Sequence, residues 1–84
     1  MITLKGFIKS SQDNVENIQN KIIEYINQMQ TTSQLSDVDN HILNIGVDNY
    51  EDNGYGYFVI FDPTIKMIDL SDALQKQARE HKIN

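Results

Sequence analysis

No cysteine occurs in the 84 residues, which excludes a disulfide framework and any thiolate metal site. A chain of this length without crosslinks relies on a single apolar core, burying roughly 60% of the surface that it exposes when unfolded. The lack of cystine fits a reducing compartment. Tryptophan is absent too, and there is one proline, Pro63. No apolar run approaches the ~18 residues needed to span a bilayer. Met1 leads into an alternating segment, not into the basic and apolar regions of a signal peptide. The expectation is one cytoplasmic domain covering residues 1–84, with no membrane partner.

Positive charge is also scarce: 7 Lys and Arg against 12 Asp and Glu, a net of −5. The excess is local. Residues 1–36 balance Asp13, Glu16 and Glu24 against Lys5, Lys9 and Lys21. Residues 37–72 carry eight carboxylates against Lys66, a net of −7, and residues 73–84 carry a net of +2, which together restore the −5. A field of that sign repels nucleic acid and anionic membrane and attracts a basic protein surface. It also keeps a small domain soluble.

What is present is periodicity. Ile2, Leu4, Gly6 and Ile8 alternate with Thr3, Lys5, Phe7 and Lys9, the pattern of a half-buried strand. Asp13 with Glu16 three residues later reads as a capping box opening a helix. In that helix Val15, Ile18, Ile22, Tyr25, Ile26 and Met29 form an apolar stripe widened by Ile23. The stripe lasts about two heptads, too short for a coiled coil, so it is expected to pack on a sheet. A polar loop through Asn40 leads to a strand over Ile42–Val47, and a second strand covers Tyr55–Phe61. Asn53-Gly54 between them suits a tight turn, because both residues tolerate positive φ. Asp62-Pro63 reads either as an N-cap and first helical residue or as the turn that ends the strand. Ile65–Leu70 is expected to add a short further strand, with Asp69 or Ser71 capping a helix over Asp72–Lys82 whose Leu70, Ala73, Leu74 and Ala78 face inward. The fold class is α+β: a small antiparallel sheet of 3–4 strands in the order β-α-β-β-(β)-α, with helices on one face.

Chemistry is sparse. His41 and His81 sit in no nucleophile–base motif and read as surface histidines. Asp48, Glu51 and Asp52 share a wet loop in which nothing would separate their pKa values for acid–base work. As a calcium loop, Asn49, Glu51, Asn53 and Gly54 lack the preceding helix that a helix–loop–helix site needs. The expectation is no enzyme, no cofactor and no metal.

Gly54-Tyr55-Gly56-Tyr57-Phe58-Val59-Ile60-Phe61 resembles the aromatic signature strand of the RNA-recognition motif, and the preceding strand–helix–strand–strand order is similar to the first half of that fold. The resemblance implies single-stranded nucleic acid stacking on Tyr55 and Tyr57. Asn53 stands where the family has a basic residue, Phe58 stands where it has an aliphatic one, and the net charge opposes phosphate binding.

The leading expectation is therefore a non-enzymatic protein-binding module. Its contact residues would be Asp48, Tyr50, Glu51, Asp52, Tyr55, Tyr57 and Asp62, tyrosine anchors in an acidic rim facing a basic partner. Ile, Asn and Lys supply 27 residues (12, 9 and 6), the composition of an AT-rich genome. With the small size this leads to a phage or mobile-element inhibitor of a host nucleic-acid-handling or defence protein. The alternatives are self-assembly through a sheet edge or the Ile-rich helix, and single-strand nucleic-acid binding.

Overall fold

A computed structural model describes residues 1–30, 35 and 37–80. The elements run β1 (Thr3–Lys9), α1 (Val15–Met29), β2 (Ile42–Glu51), β3 (Gly54–Phe61) and α2 (Asp72–Glu80), with 3₁₀ turns at Val38–His41 and Met67–Asp69. The three strands form one antiparallel sheet in the order β1-β3-β2, so the last strand in sequence is central. Both helices lie on one face, α2 over β1 and α1 over β2. The α+β class, the sheet and the two helices agree with the sequence reading.

The alternation in β1 and β3 divides the sheet into two unlike faces. Leu4 and Ile8 of β1 pair with Val59 and Tyr55 of β3 on the helix side. There Leu4, Tyr55, Tyr57, Val59 and Phe61 are buried. Helix α1 meets them with Ile18, Ile22 and Ile26, spaced one turn apart and fully buried, each contributing roughly 2 kcal/mol of apolar transfer. Leu70, Leu74 and Ala78 close the core from the C-terminal side. Thr3, Lys5, Phe7, Phe58 and Ile60 occupy the other face, which no helix covers among the described residues.

Several local expectations need correction. The helix cap is Asn14, not Asp13: Asn14 Oδ1 accepts from Asn17 N at 2.8 Å, and Asp13 Oδ1 supports the cap by accepting from Asn14 N, also at 2.8 Å. Val15 and Tyr25, assigned to the apolar stripe, are exposed because the stripe that meets the sheet is one residue wide per turn. Strand β2 runs four residues further than its apolar part, through Glu51, because pairing with β3 continues past Val47. The turn is Asp52-Asn53, at φ of 53° and 64°, the signature of a type I′ turn. Gly54 is already the first residue of β3. Its need for glycine is steric, since a Cβ there would lie 2.4 Å from the Ile8 carbonyl oxygen.

No strand forms over Ile65–Leu70. Asp69 Oδ2 accepts from Lys66 N at 2.8 Å, closing a 3₁₀ turn that leaves Ile68 85% exposed while Ile65 and Leu70 are buried. Buried Gln30 fixes this segment from the end of α1. Its Nε2 donates to Asp69 O at 2.7 Å and Leu35 O at 3.1 Å, and its Oε1 accepts from Ser71 N at 2.9 Å. Helix α2 begins at Asp72 with Ser71 Oγ accepting from Leu74 N, and Ala73, expected inward, is exposed. The expected extension of the helix to Lys82, and His81 with it, lie outside the described residues.

Candidate functional site

The seven expected contact residues separate into three groups. The first is exposed at the hairpin end: Asp48, Tyr50, Glu51 and Asp52. Two bulges, between Ile42 and Asn44 and between Val47 and Tyr50, bend β2 along its pairing with β3. The second bulge carries Asp48 and Asn49. Beyond it Tyr50 pairs with Tyr55, their rings edge-to-face at 5.2 Å and 63°. Tyr50 therefore projects from a braced position, with Glu51 leading into the turn and Asp52 in it.

The second group is inside. Tyr55 and Tyr57 are only 7% and 5% exposed, which leaves little of either ring open to a base or a partner. Alternation sends them to the helix side, and each hydroxyl is engaged there. Tyr55 Oη accepts from Asp13 N at 3.0 Å and donates to Asp13 O at 3.3 Å. Tyr57 Oη accepts from Gln77 Nε2 at 2.8 Å. Burial raises the Tyr57 phenol above its ordinary pKa, partly offset by the Gln77 hydrogen bond. The resemblance to an aromatic nucleic-acid-binding strand thus meets a sheet whose tyrosines serve the core.

The third group is Asp62 alone, just past the opposite end of β3, whose eight residues put roughly 23 Å between its two ends at a strand's rise of ~3.3 Å. Its carboxylate is held by His41 Nδ1 at 3.1 Å, by Thr64 N at 2.9 Å and by the Thr64 hydroxyl. Hydrogen bonds from Thr64 and His41 hold the Asp62 pKa below its ordinary value. An Asp, a His and a hydroxyl are the parts of a nucleophilic relay. Here Asp62 and Thr64 both approach His41 at Nδ1, at 3.1 and 3.4 Å, whereas a relay needs the acid and the nucleophile on different ring nitrogens. The cluster is a clasp: with Asp62 N donating to His41 O at 2.8 Å, it closes β2 onto the end of β3. His41 is accordingly half-buried.

Among the described residues no three His, Asp or Glu side chains gather in a metal-holding group, and no helix is long and apolar enough to cross a membrane. Outside the expected set stands Phe7, 47% exposed on the open face. Its signal in the sequence was an aromatic residue sharing the polar side of β1 with Lys5 and Lys9. Compared with protein families, with characterised proteins and with solved structures, the chain matches none.

Proposed function

We propose that this protein is a non-enzymatic protein-binding module that uses the acidic hairpin end as its contact surface. The observation that carries the reading is the placement of Asp48, Glu51 and Asp52 with Tyr50 on one exposed tip, stiffened by a two-residue turn and by the Tyr50–Tyr55 ring contact. Three carboxylates around an aromatic ring favour a basic groove, since tyrosine supplies contact area at low entropy cost and carboxylates pair with Arg and Lys. Proteins that handle nucleic acid present such grooves, so the tip acts as a competitor for phosphate and the module as an inhibitor of such a protein. Tyr55, Tyr57 and Asp62 support the tip and the sheet without touching the partner.

The test is side-by-side affinity capture with the native protein and the variant Asp48→Lys/Glu51→Lys/Asp52→Lys, with circular dichroism verifying that the variant folds. Proteins held by the native chain should be lost from the variant, with affinity reduced at least roughly tenfold, and their retention should fall as salt screens the contact. Equal retention by both chains sinks the reading. A captured set without nucleic-acid-handling proteins removes the inhibitor interpretation and leaves the binding surface.

A further inference from the structure

The two outer edges of the sheet are not equally open. At the ends of the β1–β3 ladder, Ile2 O accepts from Phe61 N at 3.0 Å and Ser10 N donates to Asn53 O at 3.1 Å. Antiparallel pairing alternates, so the even residues of β1 point their backbone groups at β3. The N–H and C=O groups of Thr3, Lys5, Phe7 and Lys9 therefore face outward. Among the described residues one hydrogen bond is made on that side, from Gln77 Nε2 to Lys5 O at 2.9 Å. A groove of about 350 Å³ runs beside this edge, and Phe7, Tyr25, Met29, Ala73, Lys76 and Glu80 are among its lining residues. Strand β1 pairs without a shift over all seven residues, whereas β2 is interrupted by two bulges, the usual protection of an edge.

We propose that β1 is a self-association edge, pairing antiparallel with β1 of a second copy of this chain about a two-fold axis at Gly6. The reciprocal match of Lys5 with Phe7 selects a second copy as occupant, and avoidance of opposed lysines selects the register. With the axis at Gly6 all seven residues pair, Thr3 facing Lys9 and Lys5 facing Phe7 of the other copy. Moving the axis to Lys5 sets two lysines face to face, and moving it to Phe7 sets Lys5 against Lys9; like charges directly opposed destabilise a ladder. In the Gly6 register the aliphatic stem of each Lys5 lies beside the partner ring of Phe7, covering an exposed aromatic. Lys5 O keeps Gln77 and takes a second donor, because a carbonyl has two lone pairs. The contact is short and belongs with weak interfaces, with a dissociation constant on the order of 100 μM. It stands independently of the hairpin-end reading, since it uses the opposite edge of the sheet.

Sedimentation equilibrium of the full chain from about 10 μM to about 1 mM tests it. The native protein should pass from monomer to dimer across that range. Thr3→Glu, which sets a carboxylate opposite the partner's Lys9 in this register alone, should tighten the dimer roughly twofold to thirtyfold. Phe7→Pro should weaken it at least roughly tenfold, because proline is tolerated where the N–H faces outward but cannot donate to an added strand. Leu43→Lys on β2 and the hairpin charge reversal should leave the dimer unchanged. A strict monomer at the top concentration overturns the proposal, as does no gain from Thr3→Glu or a dimer lost through Leu43→Lys. Slow exchange of the Phe7 and Lys9 amides in dilute monomer also overturns it, since the edge would then be covered already.

Discussion

Strands β1 and β2 flank the same central strand and are held to it by the same antiparallel ladder, yet they are built for different ends. β1 is seven residues long, regular, and carries lysines on its outer face; β2 is ten residues long, bulged twice, and ends in acids. Each edge receives one glutamine from the helix above it. Gln77 of α2 caps Lys5 O at 2.9 Å, and Gln19 of α1 caps Ile45 O at 3.0 Å. The helices also bury the two edges unequally, with Leu4 fully enclosed and Ile45 half-buried, although both pair with Val59. The regular strand is the packed one. The bulged strand reaches beyond the core and presents its end to solvent, as a surface for recognition requires.

The largest expected effect comes from truncating these two neighbours of Val59. Leu4→Ala should cost about 3 kcal/mol and Ile45→Ala about 1 kcal/mol, because a fully enclosed side chain leaves a cavity and a half-exposed one does not. Urea denaturation measures both, and equal costs would show that the two edge strands are packed alike. The glycines of the two edge strands differ as well. A Cβ on Gly6 would stand 2.6 Å from Tyr57 Oη and 2.7 Å from Gln77 Nε2, while one on Gly46 would stand 1.9 Å from the ring of Phe58. The first clash is the closer to a buried hydrogen-bond network and the second is shorter, but Phe58 lies on the open face and can swing into solvent. Gly6→Ala should therefore cost about 2 kcal/mol and Gly46→Ala less than about 1 kcal/mol.

The smallest effect is acid sensitivity at the two ends. Asp62 clasps the start of β2, and Asp13 follows β1 at the α1 cap. Both carboxyls lie below their ordinary value of 3.8, Asp62 chiefly through the Thr64 hydroxyl and Asp13 chiefly through the Asn14 backbone N–H. A group whose folded pKa is depressed stabilises the fold above its unfolded pKa, and that stability is lost as pH falls through the folded value. Stability should thus be level near neutrality and decline below about pH 4. Asp62→Asn and Asp13→Asn should each make that decline shallower in thermal melts between pH 6 and pH 2.5. An unchanged slope in Asp62→Asn would show that the clasp does not discriminate the ionised carboxyl.

Much of the architecture was legible because it rests on periodicity. Ile18, Ile22 and Ile26 at four-residue spacing, and Tyr55, Tyr57, Val59 and Phe61 at two, appear in the core as the pattern requires. Boundaries set by single hydrogen bonds were not legible. Asn14 and Asp13 are equally good caps in sequence, and only the approach of Asn17 N decides between them. The stretch Ile65–Leu70 alternates weakly enough to pass for a strand, and Gln30, forty residues earlier, holds it as a turn through Asp69 and Ser71. The contact surface was partly legible: the hairpin acids are exposed, as polarity implies. Tyrosine is amphipathic, though, and its side of the sheet follows from which face the helices cover.

The periodic elements and the chemistry at hand follow from the residues alone. No cysteine means no crosslink, the excess of negative charge lies in the middle of the chain, and alternation divides each strand into an apolar and a polar side. Those properties are local, carried by neighbours along the chain. The tertiary structure alone decided that β3 sits in the centre, that Tyr55 and Tyr57 lie under the helices, and that Asp62 stands at the far end from Asp52. It also left β1 with an open side. Strand order depends on contacts between residues dozens of positions apart, and the free energy that selects it belongs to the assembled core and not to any segment.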